Sequence, residues 1–338
     1  MNTRTLLVAV TVIAAAYGCG RDTSSLTEPG STSPTGAPQL AVASNTWIKR
    51  ADLLSNQQSS MAAATLTNSS GQSVVYVIGG VNATGGSYSK VVAYDAATNT
   101  WRKKAPLHAA RYWTNGAALI NGKIYVSGGK QANRIYVSSL YVYHPATDSW
   151  TQKRDMPAPG FRGVSGAING KLYVLTYCEQ EECFPPVRQA FFRYDPATDH
   201  WSTLPIPPGY HAMGFGGVIG GKLYVAGGIS SKQLDVYDPI TNKWTTKAPL
   251  GSPRWDGAGT VSSGKLYVLG GLRAGADETI TLARATSVYD PTTNTWTNKA
   301  RLPWARLDFA ASRVVINGTA RVEAVGGPAP GNNVQFIP

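Results

Sequence analysis

Cysteine, histidine and acidic side chains are scarce in this 338-residue chain: it holds three Cys, four His, and 19 Asp+Glu against 31 Lys+Arg. Two of the four histidines, His144 and His200, belong to turn sequences, so a multi-histidine metal centre has too few ligands. Three cysteines are also too few for a structural zinc module. No metal and no other cofactor is expected. The sequence has no Gly-x-Ser-x-Gly elbow, no Gly-rich phosphate loop, no His-Glu-x-x-His signature and no sialidase-type Asp box. No five cations occur in a row, so the net charge of +12, which favours anionic partners in general, carries no nucleic-acid signature and reads as solvated surface charge.

Glycine and proline are plentiful, at 36 and 21 residues, while only 15% of residues are charged. That profile fits a turn-rich all-β domain. The N-terminus reads as a targeting segment. Arg4 precedes an apolar run at 6–16, too short to cross a bilayer as a helix. It ends in Ala16-Tyr17-Gly18-Cys19, which resembles the bacterial lipobox, although Ala16 stands where leucine is commonest and Tyr17 is bulky. Residues 1–18 are therefore read as a lipoprotein signal peptide and Cys19 as the lipidated residue of an exported cell-envelope protein; ordinary cleavage without a lipid is the alternative. Residues 19–44, rich in Ser, Thr, Pro and Gly, read as a flexible tether. With Cys19 acylated, Cys178 and Cys183 form an even pair in an oxidising compartment and are expected to close a small loop as a disulfide.

From Trp47 onward the sequence repeats. Six tryptophans, at 47, 101, 150, 201, 244 and 296, recur every 43 to 54 residues. Gly-Gly pairs stand at 79–80, 128–129, 227–228, 270–271 and 326–327, and Thr176-Tyr177 takes the place of one. Each unit reads as four strands. A small-residue strand leads through a tight turn such as Asn121-Gly122 to a second strand of the type Lys-Leu-Tyr-Val. A third strand ends in Tyr-Asp, and a Pro-x-Thr-Asn-type turn leads to a short polar strand that begins at the Trp. The polarity of the fourth strand suits an outer edge.

The Gly pair, the downstream Tyr-Asp and the Trp beyond it resemble the Kelch repeat family over residues 46–338. The resemblance implies an all-β, six-bladed β-propeller of four-stranded antiparallel blades. The last repeat lacks a fourth strand and the segment around Trp47 lacks a blade, so that segment is expected to complete the C-terminal blade over a domain at 45–338. A monomer is expected.

In such a blade the 2–3 and 4–1 loops share one face, and here they are the long, unequal ones. Three further tryptophans fall beside arginines in 4–1 loops: Arg111-Tyr112-Trp113, Arg254-Trp255 and Trp304-Ala305-Arg306. Phe161-Arg162 and Tyr210-His211 take the same place in two other repeats, and Ser55-Asn56 in the first. Arginine and aromatics are the side chains enriched at binding hot spots. The resemblance extends to Kelch domains that grip acidic peptides through arginines at this position, which maps to Arg111, Arg162, Arg254 and Arg306. Trp113, His211, Trp255 and Trp304 complete the candidate ligand-binding set. Each of these side chains could instead pad a blade interface. Asp256 and Asp308 follow two of the arginines and are weak candidates for a general acid/base pair. The expected function is a tethered binding module for a glycan, peptide or protein, more a binder than an enzyme. The alternative is a sugar-active enzyme, since the family includes sialic acid mutarotases.

Overall fold

The computed structural model describes residues 43–54, 59–82, 85–133, 135–177, 189–275, 277, 279–327 and 333–338. The signal peptide, Cys19, nearly all of the tether, Ser55-Asn56, Cys178 and Cys183 lie outside them.

The second repeat illustrates the blade. Strands Ala117–Ile120, Lys123–Ser127, Leu140–His144 and Ser149–Lys153 pair antiparallel in chain order. Asn121 and Gly122 both hold positive φ, 49° and 71°, as a two-residue hairpin turn of the primed type requires. Six four-stranded sheets of this kind are present among the described residues. Their inner strands, Ala62–Thr67, Ala117–Ile120, Phe161–Ile168, Phe215–Ile219, Ala258–Ser262 and Ala310–Ile316, each pack on the next, and the last packs on the first. In the sixth sheet Thr46–Lys49 pairs with Asn333–Ile337, placing Trp47 opposite Phe336. The ring thus closes with the N-terminal strand as the outer strand of the C-terminal blade, as expected.

The repeated residues form clamps between neighbouring blades. Each repeat Trp donates its indole N–H to a carbonyl just beyond the outer strand of the preceding blade: Trp101 to Ala51, Trp150 to Ala105, Trp201 to Arg154, Trp244 to Pro205, Trp296 to Ala248 and Trp47 to Ala300, all within 2.7–2.9 Å. The turn Asn or Asp works beside it. Asn99 Oδ1 accepts from the Tyr94 hydroxyl at 2.7 Å and from the Ala51 N–H at 2.8 Å. Asp148, Asp199 and Asn294 repeat this pairing. Asn45 accepts from the Ala300 N–H at 2.8 Å and so extends the clamp to the closing seam. The Tyr and Trp rings of one blade lie 4.8–5.2 Å apart, and each such pair adds about 0.5–1.5 kcal/mol beyond area burial.

The 2–3 loop of the fifth blade contains a short hairpin. Leu272–Ala274 pairs with Ile280–Leu282 on one side and with Arg254–Trp255 on the other. The pairing satisfies backbone groups of a long loop that would otherwise rely on water.

Candidate binding site at the channel mouth

At the entry to each inner strand one residue turns into the left-handed region: Ser60, Trp113, Arg162, Met213, Asp256 and Asp308, with φ between 48° and 62°. Asp tolerates this conformation locally; Trp, Arg and Met do not favour it. The six residues form a ring round the channel. Trp113 N–H donates to the Ser60 carbonyl, Arg162 to Trp113, Asp256 to Met213, Asp308 to Asp256 and Ser60 to Asp308, at 2.6–3.0 Å. Five of the six turns donate to the carbonyl of another and Met213 accepts from Asp256, so the backbone strain is fixed by this network rather than by local preference.

Their side chains meet over the channel axis. Arg162, on the third blade, reaches across to the fifth and sixth. Its Nη1 bonds Asp256 Oδ1, and its Nη2 lies 3.1 Å from Asp308 Oδ1. The guanidinium carbon sits 3.9 Å from the centre of the Trp113 ring, and Nη1 also contacts Met213 Sδ at 3.3 Å. One cation therefore faces two carboxylates. Burial would lower the Arg162 pKa, but Asp256 and Asp308 outweigh it and raise it. Burial, opposed by Arg162 and reinforced by the Asp256 charge and a hydrogen bond between the two carboxyls, pushes Asp308 up to about 8. The cluster borders a channel cavity of about 570 Å³, lined mainly by small inner-strand residues such as Ala63, Gly166, Gly217 and Gly259.

An aromatic shelf adjoins the mouth. Lys130 Nζ lies over Tyr136 (4.6 Å) and Trp113 (5.3 Å) and donates to the Tyr136 hydroxyl at 3.1 Å. Phe161 stacks on Tyr136 at 4.3 Å, with Tyr177 edge-on at 5.1 Å.

The remaining expected site residues are set in the blade seams, away from the mouth. Arg111, Arg254 and Arg306 are buried. Their carbonyls accept from the second glycine of the preceding blade's pair, Gly80, Gly228 and Gly271, at 2.8–2.9 Å. A Cβ on the first glycine, at Gly79, Gly227 or Gly270, would stand 2.4–2.7 Å from the same carbonyls, which explains the Gly pair. Their guanidinium groups bond the following blade: Arg111 to the Gly128 carbonyl and Ser139, Arg254 to the Val268 carbonyl and Ser287, and Arg306 to the Gly326 carbonyl. His211 staples its seam in the same manner, with Nδ1 2.7 Å from the Gly227 carbonyl and Nε2 3.0 Å from Asp235. Trp255 is buried, and Trp304 packs against the core of the sixth blade.

Arg162 is thus not the counterpart of the other three arginines. Gly160 is, since its carbonyl bonds Gly129 N–H at 2.8 Å. A side chain at Gly160 would collide with Thr176, whose Oγ1 lies 2.1 Å from the Cβ position. The missing Gly pair at 176–177 and the missing arginine at 160 are therefore one compensated change, with Asn115 accepting from Thr176 Oγ1 (2.7 Å) and Gly163 N–H (3.1 Å). Sequence reasoning missed Ser60, Met213, Lys130 and Tyr136. Aligning Arg162 with Asp256 and Asp308, two residues beyond Gly160 as they are beyond Arg254 and Arg306, would have pointed to the ring.

The model of the KLHDC2/KLHL20/DRC7 Kelch-repeats domain matches residues 39–228, and that of the Kelch motif matches 216–251. No curated protein matches the chain. Among solved structures, one described as "Structure of YjhT" is similar with a TM-score of 0.65 at 19% identity, covering 82% of this chain and 93% of that one, which shows a shared fold. With the clamps, the Gly pairs and the six-bladed ring in place, the chain belongs to the Kelch-repeat family.

Proposed function

We propose that the protein is a binding module that seats a hydroxyl-rich glycan on the face formed by the 2–3 and 4–1 loops, at the Arg162–Asp256–Asp308 mouth. The observation that carries this reading is the strained ring that delivers three charged side chains from three blades to one point. An acidic peptide held by an arginine ring fits poorly: three of the four arginines are seam staples, and Arg162 already faces two carboxylates. A sugar hydroxyl suits the mixture better, because it donates to a carboxylate and accepts from a carboxylic acid or an N–H. Arg162 Nε and Trp113 Nε1 are buried and have no acceptor among the described residues. Export, a lipid on Cys19, a tether at 19–44 and a Cys178–Cys183 disulfide belong to the same reading, which puts the propeller at a bacterial envelope surface. A glycan array probed with the wild type and with Asp256→Asn tests it. A hit lost in the variant, with the melting temperature kept, supports the mouth; a hit that survives the substitution overturns it.

The meeting of two carboxyl groups at one guanidinium favours one second reading. A carboxylic acid beside a carboxylate can give and take a proton at a sugar ring oxygen and anomeric hydroxyl, as anomer interconversion requires. Accelerated anomer exchange of a sialic acid by NMR, abolished in Asp256→Asn, would support it; no acceleration by the wild type ends it.

A further inference from the structure

The cations scattered along the sequence are gathered by the fold onto the circumference. The six outermost strands are Thr46–Lys49, Thr100–Lys104, Ser149–Lys153, His200–Leu204, Lys243–Lys247 and Thr295–Lys299. Together they carry eight Lys or Arg and no Asp or Glu. Arg102, Lys103, Lys243, Lys247 and Lys299 are exposed and form no ion pair among the described residues. Exposed Arg154 and Arg301 follow directly after two of these strands. Three of the four second-strand lysines differ: Lys171, Lys222 and Lys265 are each paired with an aspartate of the third strand, Asp195, Asp238 and Asp290, at 2.6–2.7 Å, while Lys123 has no such partner among the described residues. Exposed cations without an ion-pair partner among the described residues therefore stand on the rim of the first, second, fourth and fifth blades.

We infer that this rim binds a linear acidic polysaccharide along its length. A belt running from one blade edge to the next matches a chain that presents carboxylates repeatedly, and its affinity would come from many weak, salt-sensitive contacts. Single-stranded nucleic acid is the poorer match. It needs aromatic faces between the cations for its bases, whereas the Trp of each outer strand packs into the seam with its N–H donated to a neighbouring blade. Protection of a sheet edge explains why the strands are charged. It favours lysine on each strand taken singly but does not exclude glutamate, which also serves at edges.

That difference supplies the test. The full chain is titrated with sodium polygalacturonate, neutral dextran and poly(dT). Polygalacturonate is expected to bind, dextran not, and poly(dT) more weakly. Affinity should fall roughly 100-fold between about 50 and 200 mM salt. The variant Arg102→Glu/Lys103→Glu/Lys243→Glu/Lys247→Glu keeps a charge at every edge and so stays monodisperse, yet should bind at least about 30-fold more weakly. The corresponding four-fold Gln variant gives the same reading should the Glu variant fold poorly. Lys171→Gln/Lys222→Gln/Lys265→Gln, which removes cations from the turns, should stay within about two-fold of the wild type. Polygalacturonate binding that is absent, that survives both rim variants, or that weakens equally in the turn variant overturns the assignment. So does poly(dT) binding as tight as that of polygalacturonate. The loop-face glycan reading stands or falls separately, on Asp256→Asn, which leaves the rim untouched.

Discussion

At the middle of the second strand five blades carry a tyrosine, Tyr76, Tyr125, Tyr173, Tyr224 and Tyr267, and the closing blade carries Glu323. The tyrosines pack against an aromatic ring of the next blade at 5.4–6.3 Å. Glu323 is fully buried and accepts from Gln335 Nε2 at 2.6 Å, while its Oε1 has no hydrogen-bond partner among the described residues. Polar groups continue along that seam: Asn333 Nδ2 donates to the Ala51 carbonyl, and Arg50 donates to the Tyr94 hydroxyl and the Ala96 carbonyl. Five seams join neighbours in the chain and pair aromatic rings at this position, beside their tryptophan clamps and, in all but the seam between the second and third blades, arginine or histidine staples. The sixth joins the two ends of the domain, and directional hydrogen bonds fix the register of a strand that arrives from far away in sequence. The difference teaches that this closure is built for specificity at some cost in stability.

Predictions that break or sharpen this contrast follow from the closure inward. Trp47→Ala removes the clamp to Ala300 and the contact with Phe336 at 5.2 Å. It should destabilise the propeller by about 3–4 kcal/mol in urea unfolding; a loss below about 1 kcal/mol would mean that the N-terminal strand does not close the ring.

Glu323 gives the pH signature. Burial pushes its carboxyl from 4.5 to about 7. A carboxyl raised in the folded state contributes its stability below the unfolded value and loses it as pH rises through the folded one. The wild type should therefore lose up to about 3 kcal/mol between roughly pH 4.5 and 7 from this group. Glu323→Gln should flatten that slope and melt higher than the wild type at pH 8; an unchanged slope would remove Glu323 from the account.

The arginine staples can be compared with the seam that lacks one. Arg111→Met keeps the stem but loses the bonds to Gly128 and Ser139, for about 2 kcal/mol by thermal melting. Asn115→Ala in the staple-free seam should cost a similar amount, because it leaves Thr176 Oγ1 and Gly163 N–H without their acceptor. A neutral result there would show that Asn115 does not take the place of the missing arginine staple. The smallest expected effect is Lys222→Gln on the turn face, within about 0.5 kcal/mol, since its pair with Asp238 is exposed.

The blade plan was legible because the clamp is a sequence motif: Tyr, Asn or Asp, and Trp recur at fixed offsets, and each has one partner to find. The closure was legible from Trp47 lacking a blade and Phe336 lacking an outer strand. The mouth was legible only in part. Asp256, Asp308, Trp113 and Arg162 were candidates, but the arginines were aligned as one set. The alignment fails at Gly160, where a side chain would strike Thr176, and nothing local marks Arg162 as standing two residues further on. Positive φ at Trp113 and Arg162 is held by the backbone hydrogen bonds of the ring, against the preference of either residue. The rim charge was illegible for a similar reason: lysines some fifty residues apart become neighbours only once the sheets are stacked.

The most direct measurement is a structure of the protein with the strongest glycan from the array. The account predicts sugar hydroxyls within hydrogen-bond distance of Asp256 or Asp308, with the Trp113–Arg162 stack at the edge of the ligand. A sugar seated on the turn face, or on the loop face without contact to any of the six ring residues, would contradict it.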